Sequence, residues 1–307
     1  MQGRDRFDGV FTALVTPFTD TGAIDWPAFD RLVDGQLEAG VAGLVPVGTT
    51  GEAATLSPDE AAGLVARTAR RAAGRAYVLA GTGSNATDKT ITATRRTIDA
   101  GADGVLIVTP YYSRPTQRGL IAHFGEVADA TGAEIMLYSV PGRAAVAIEP
   151  ATAAALAAAC PGIVAIKEAG GDAARVTDLR AACGPGFVVH CGDDALALPF
   201  YALGARGLTS VVSNFAPAEC VALHEAWRSG DAARALDIHE RLAPLVKAMF
   251  VETSPAPVKA ALALAGRMGP TLRLPLVEPA EASRQAIAAA VAAFGQAVCN
   301  SSIFGAA

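Results

Sequence analysis

Lys167 ends an apolar, strand-like run in "IVAIKEAGG", in a chain with four lysines (Lys89, Lys167, Lys247 and Lys259) against twenty-one arginines. Basic surface is therefore supplied by arginine, and a lysine in this place can do what arginine cannot. A guanidinium stays protonated, whereas surroundings can neutralise an amine and make it a nucleophile. Strand alternation sets Ala165 and Lys167 on one face and Val164, Ile166 and Glu168 on the other. With the Lys167 face turned into an apolar interior, burial disfavours the charged form and lowers the pKa from its usual value of about 10.4. The neutral amine can attack a ketone carbonyl and expel water, leaving an imine that serves as an electron sink for making or breaking a carbon-carbon bond. The plainer alternative is a lysine that pairs with a carboxylate and caps the strand.

Imine chemistry needs a group that passes protons to and from the carbinolamine oxygen, and a tyrosine hydroxyl linked to further hydroxyls can do so. Tyr138 in "EIMLYSV", Thr49 in "GTTGE" and Tyr112 in "PYY" are the candidates. Aromatic packing and a threonine-rich turn would explain any one of them alone. In Gly48-Thr49-Thr50-Gly51-Glu52, glycines let backbone N–H groups converge on an anion and hydroxyls add donors, which suits the carboxylate of a small keto acid. A simple strand-to-helix turn has the same composition. Arg143 in "VPGR" offers a bidentate site for a second carboxylate or is a solvated loop arginine. His190, Cys191, Asp193 and Asp194 are close in sequence, but alternation puts His190 and Cys191 on opposite faces, which speaks against a metal site. Gly81-Thr82-Gly83 lacks the third glycine of a dinucleotide loop.

The elements that must position these residues are legible as β-rich runs separated by helical stretches. The runs are "VFTALVT" from Val10, "GLVPVG" from Gly43, "AYVLAGTG" from Ala76, "GVLIVTP" from Gly104, "EIMLYSV" from Glu134, "IVAIKEA" from Ile163, "FVVHCGDD" from Phe187 and "GLTSVVSN" from Gly207. Between them Asp25, Ser57-Pro58, and Thr87 or Asp88 read as helix caps, each followed by helical apolar spacing and a glycine stop. Eight alternating units predict an α/β fold, a (β/α)₈ barrel, in which chemistry collects at the C-terminal strand ends. Three of the five tyrosines fall on that rim. From about Ala216 only helical periodicity remains, as in Leu236, Leu242, Leu245, Val246 and Met249. The expected division is a barrel over residues 1–231 and a helical extension over 232–307, with no role for the closing "CNSSIFGAA".

Hydrophobic residues make up 51% and charged residues 18% of the 307, and the net charge is -5, so the chain can bury a large core and has no basic field for nucleic acid or an anionic membrane. "MQGRDRFDGV" has no secretory pattern, and the expected location is the cytoplasm. "ATAAALAAAC" and "AIAAAVAAF" are too short to span a bilayer and are expected to form buried helices. The five scattered cysteines, Cys160, Cys183, Cys191, Cys220 and Cys299, are expected to be reduced thiols.

"GTTGE", "PYY", "LYSVPGR", "IVAIKEA", "GDDALAL" and "PAPVKAAL", in this order across nearly the whole chain, resemble the dihydrodipicolinate synthase and N-acetylneuraminate lyase family of class I aldolases. The resemblance implies a barrel with C-terminal helices, no metal and no cofactor beyond the covalent lysine imine, and a homotetramer built from tight dimers. It assigns the pyruvate imine to Lys167 and a proton relay to Tyr138, Thr49 and Tyr112, with Tyr112 reaching in from the neighbouring subunit. Thr49 and Thr50 would hold the pyruvate carboxylate, with Gly48, Gly192 and Thr209 around the pocket. "GTTGE" combined with "VPGR" points to the branch of lysine biosynthesis that condenses pyruvate with aspartate semialdehyde, whose carboxylate Arg143 would bind.

Against the family pattern, Ser139 and Ala144 alter the surroundings of Arg143, and Thr209 replaces a usual isoleucine. Where some members bind lysine as feedback inhibitor, Asn85 matches while Ala53, Pro58, Ala61 and Lys89 replace polar or acidic contacts, so lysine inhibition is expected to be weak or absent. The alternatives are an aldolase or dehydratase acting on sugar-derived keto acids and a noncatalytic metabolite-binding barrel.

Overall fold

The computed structural model describes residues 5–304, with side chains for 6–296. Cys299 and the segment that contains it, 299–307, fall outside the described side chains. Eight parallel strands close in chain order into a barrel: β1 (Gly9–Ala13), β2 (Gly43–Val45), β3 (Tyr77–Gly81), β4 (Gly104–Val108), β5 (Ile135–Ser139), β6 (Ile163–Glu168), β7 (Val188–Cys191) and β8 (Gly207–Ser210). β2 to β8 lie inside the runs read from sequence, and β1 begins one residue earlier than its run, at Gly9. β2 stops before Pro46, which has no N–H to give a ladder.

The helices are α1 (Trp26–Glu38), α2 (Pro58–Ala72), α3 (Thr87–Asp99), α4 (Gln117–Thr131), α5 (Pro141–Ala144), α6 (Pro150–Ala159), α7 (Ala174–Cys183), α8 (Ala197–Ala202), α9 (Pro217–Arg228), α10 (Ala232–Met249), α11 (Ala256–Leu264) and α12 (Glu281–Phe304). Asp25 caps α1 by accepting from Ala28 N at 3.0 Å, and Ser57 with Glu60 forms a reciprocal capping box on α2. The third expected cap is not formed. Ala86 occupies the N-cap of α3, the Thr87 hydroxyl is 2.9 Å from His123 Nδ1, and Thr90 Oγ1 instead accepts from Ser84 N at 3.0 Å. Thr87 was therefore claimed by a neighbouring helix rather than by its own backbone.

Inside the barrel, Phe11, Val45, Leu79, Leu106, Met136, Ala165 and Val188 form one apolar cluster, while Ile107, Leu137, Ile166 and Val189 face the surrounding helices. Val164 departs from the alternation. The β5–β6 register shifts between Ile135 and Met136, and Val164 packs against the interior cluster beside Ala165 rather than with Ile166. Beyond the shift the alternation resumes, so Lys167 points in and Glu168 out. Phe7 lies beneath this interior, and His190 Nε2 donates to its carbonyl at 2.6 Å. Asn214 fastens the β1–β8 seam by donating to Ala13 O at 2.8 Å and accepting from Val15 N at 3.0 Å.

Leu242, Leu245, Val246 and Met249 of α10 join the same apolar cluster as the outer barrel residues. Leu236, read as part of that buried periodicity, is instead 48% exposed. The alanine-rich α12 also differs from expectation: Ile287 is buried with Ala290, Val291 and Phe294 packed on one stripe, while most of the other alanines face solvent. Alanine's high helix propensity, not burial, accounts for that composition. Among the described residues no helix is long and apolar enough to cross a membrane, and Cys160, Cys183, Cys191 and Cys220 are free thiols.

Candidate active site

A cavity of about 590 Å³ opens at the C-terminal mouth of the barrel. Thr49 and Thr50 reach it from the turn after β2, Tyr138 from β5, Arg143 from α5, Lys167 from β6 and Gly192 from the end of β7. Six of the nine site residues read from sequence thus converge on one space, and the arrangement follows from eight strands ending on one rim.

Lys167 is 6% exposed, and its ammonium nitrogen stands 4.4 Å from the centre of the Tyr138 ring. The two are Cα partners across the β5–β6 ladder, which sets the amine against the aromatic face. Gly192 makes room for the lysine stem, since a Cβ there would lie 2.9 Å from Lys167 Cε and 2.7 Å from Ala169 Cβ. Glu168 turns away and is fully buried, accepting from Gly170 N at 2.7 Å and Arg175 Nε at 3.0 Å. Burial pushes its carboxyl up in pKa against the pull of Arg175. Arg175 also donates to Ile148 O at 2.7 Å, and Ile148 N donates to the Ser139 hydroxyl at 3.3 Å. Ser139 therefore anchors the segment that carries Arg143, whose guanidinium donates to Ser254 O at 3.4 Å.

The threonine turn is a strained piece of backbone: Val47 has φ 59°, a conformation β-branched residues rarely adopt. It passes so close to β3 that a Cβ on Gly81 would sit 2.2 Å from Val47 O, which explains the first glycine of Gly81-Thr82-Gly83 by packing alone. Gly48 hydrogen-bonds within the turn, accepting from Gly51 N at 3.0 Å, and does not itself line the cavity. Glu52 lies behind the turn and is fully buried. Lys259 Nζ donates to its carboxylate at 2.6 Å and to Thr16 O at 2.9 Å, while Arg273 N donates to the other carboxylate oxygen at 3.0 Å. Thr16 Oγ1 completes the brace by donating to Gly51 O at 2.7 Å. Burial pushes the Lys259 pKa down, opposed by Glu52.

Two residues read as part of the site stand elsewhere in this chain. Thr209 does not line the cavity; it is buried in the interior with its hydroxyl 3.1 Å from His190 Nδ1. Because Nε2 must donate to the Phe7 carbonyl, Nδ1 accepts and the threonine hydroxyl donates. Tyr112 is 91% exposed and does not line the chain's own cavity, on a turn where its φ is 74°. Among the described residues no hydrogen bond joins Tyr138 to Thr49.

His190, Cys191, Asp193 and Asp194 are each engaged separately. Cys191 Sγ donates to Asp193 O at 3.0 Å, and Asp194 accepts from Val211 N at 2.9 Å and from Ser210. Burial lowers the His190 pKa to about 4. Among the described residues no cluster of three or more His, Cys, Asp or Glu could hold a metal ion.

Reasoning from sequence missed one wall of the cavity. His239, Ala243, Val246, Lys247 and Phe250 of α10 and the residue after it line it, together with Asp193. Their spacing is one helical face, visible in the sequence, but nothing there says where the face docks.

Known proteins share this architecture over most of its length. Residues 6–294 match the model of the dihydrodipicolinate synthetase family. A 4-hydroxy-tetrahydrodipicolinate synthase from Sorangium cellulosum is 49% identical over 92% of this chain and 94% of its own length. The structure of the 4-hydroxy-tetrahydrodipicolinate synthase from Methylacidiphilum fumariolicum SolV superposes with a TM-score of 0.93 at 41% identity, covering 95% of this chain and 97% of that one. A monomeric dihydrodipicolinate synthase variant superposes with a TM-score of 0.92 at 41% identity over 94% of this chain and 97% of that chain. With the barrel, the lysine-bearing β6 and the matched length in agreement, the chain belongs to the dihydrodipicolinate synthetase family.

Proposed function

We propose that the chain is a lyase of the 4-hydroxy-tetrahydrodipicolinate synthase type, condensing pyruvate with L-aspartate 4-semialdehyde through an imine on Lys167, as a step of lysine biosynthesis. The observation that carries this reading is the buried Lys167 amine 4.4 Å from the Tyr138 ring, in a cavity shared with Thr49, Thr50 and Arg143. The neutral amine adds to pyruvate C2, and the carbinolamine oxygen leaves as water once protonated, with Tyr138 as the acid. Loss of a C3 proton gives an enamine whose C3 attacks the aldehyde carbon. The amino group of the new chain then adds to the imine carbon and releases Lys167, which closes the ring. This chemistry asks for no metal.

The Thr49 and Thr50 turn suits the pyruvate carboxylate, and Arg143, at the outer end of the cavity, suits the carboxylate of the aldehyde. The outward Tyr112 supports a relay completed between two copies, within a homotetramer of tight dimers. The division at residues 231 and 232 belongs to the same proposal, with the helical unit roofing a catalytic barrel.

Borohydride reduction in the presence of pyruvate tests the reading: mass spectrometry is expected to find the adduct on Lys167, and turnover is expected with aspartate semialdehyde. An adduct elsewhere, or a Lys167→Ala enzyme as fast as the parent, refutes it. Turnover only with sugar-derived acids would move the substrate and keep the imine.

A further inference from the structure

We propose that Lys247 is a specificity-determining residue, a second cation at the cavity mouth that, with Arg143, selects an aldehyde carrying a carboxylate. This inference rests on the reading that Lys167 holds pyruvate. The stripe of α10 that faces the cavity presents His239, Ala243, Val246 and Lys247, so Lys247 enters from the roof while Arg143 enters from α5.

The charges around this space decide what the lysine does. Arg143 and Lys247 are cationic, Asp193 is anionic, and His239 has its pKa lowered by burial, which keeps it neutral at pH 7. Once Lys167 is engaged with the keto acid, Arg143 and Asp193 offset one another. Lys247 then supplies a further positive charge at the mouth that the carboxylate of an incoming aldehyde can meet. Asp193 is committed in place, accepting from Ala195 N at 3.0 Å. Among the described residues Lys247 has no carboxylate within ion-pair distance, and Arg143 meets only the Ser254 carbonyl at 3.4 Å, so both cations are open to a ligand. The lysine side chain also suits the place: a point charge on a flexible stem can follow a carboxylate that arrives after pyruvate is fixed.

The test is steady-state kinetics of the full-length enzyme with Lys247→Gln and Lys247→Arg variants, varying each substrate in turn. For Lys247→Gln, KM for aspartate semialdehyde is expected to rise roughly ten- to hundredfold, the range for losing a charged hydrogen bond. Its KM for pyruvate should stay within about twofold of the parent, and Lys247→Arg should recover most of the loss because the charge is kept. Raised ionic strength should weaken aldehyde binding more in the parent than in Lys247→Gln. An unchanged aldehyde KM, a parallel rise in both KM values, or an Arg variant as impaired as Gln overturns the inference. Borohydride trapping with pyruvate separates the two levels. A normal Lys167 adduct with an unchanged aldehyde KM overturns this assignment alone, whereas a parent without the adduct takes the imine reading and this inference down together.

Discussion

His190 should make the fold sensitive to mild acid, by an amount that its burial determines. The imidazole is buried in the barrel, held by the Phe7 carbonyl and the Thr209 hydroxyl, and burial keeps its pKa at about 4. In the unfolded chain the same group titrates near 6.5. Between those values the unfolded state binds the proton and the folded state does not, so the contribution is intact above about pH 6.5 and is lost as pH falls toward 4. The gap corresponds to about 3 kcal/mol. Denaturant midpoints should be measured at fixed protein concentration from pH 7 to pH 4 for the parent and for His190→Gln, which does not titrate yet can still donate to Phe7 and accept from Thr209. The difference in stability between the two should shift by about 3 kcal/mol across that range, in favour of Gln at the acid end. Parallel curves for the two proteins would refute the argument, because they would mean that His190 charges as easily in the barrel as in water.

Lys259→Met should destabilise the protein by about 3–5 kcal/mol by leaving the Glu52 carboxylate buried and unpaired, whereas adding Glu52→Leu should recover part of the loss; denaturant midpoints of the single and double variants check this. Arg273 donates to Glu60 and holds the Glu60 pKa at about 2, so this pair's contribution is present above pH 4.5 and disappears as pH falls toward 2. Glu60→Gln should flatten the stability curve in that window by about 1 kcal/mol, the pair being partly exposed. Added lysine should leave turnover largely intact, because an ammonium ligand at the Asn85 region would meet Lys89; strong inhibition at low concentration would contradict this.

The barrel was legible because each of its parts is a local pattern: eight β-rich runs, caps at Asp25 and Ser57, glycines after the helices. Lys167 and Tyr138 were legible for a related reason. Strand alternation decides which way a side chain points, and a barrel puts all strand ends on one rim. What escaped was set by contacts distant in sequence. Thr87 looks like a cap until His123 of the next helix takes its hydroxyl. Val164 looks outward until a register shift turns it in. Thr209 looks like pocket lining until His190, nineteen residues away, accepts its proton. The α10 wall escaped for the same reason, since periodicity defines a face without naming what the face will cover.

Lysine usage ties these levels together. Of four lysines, Lys167 and Lys259 are buried and Lys247 lines the cavity, while Lys89 is exposed on α3. The two buried amines have opposite surroundings. Lys259 faces the Glu52 carboxylate at 2.6 Å, an arrangement that makes it a brace for the threonine turn. Among the described residues Lys167 has no carboxylate within ion-pair distance and instead faces the Tyr138 ring. An ammonium beside an aromatic face gains less than one beside a carboxylate, so Lys259 is held by its partner while the amine of Lys167 is left available to a ligand. Residue type alone did not separate a nucleophile from a strut; the partner did. The same reasoning explains why the C-terminal helices matter to chemistry carried by the barrel. α11 supplies the brace behind the turn that carries Thr49 and Thr50, and α10 supplies the cation above Lys167, so the strand ends present reactive groups that later elements hold in place and charge.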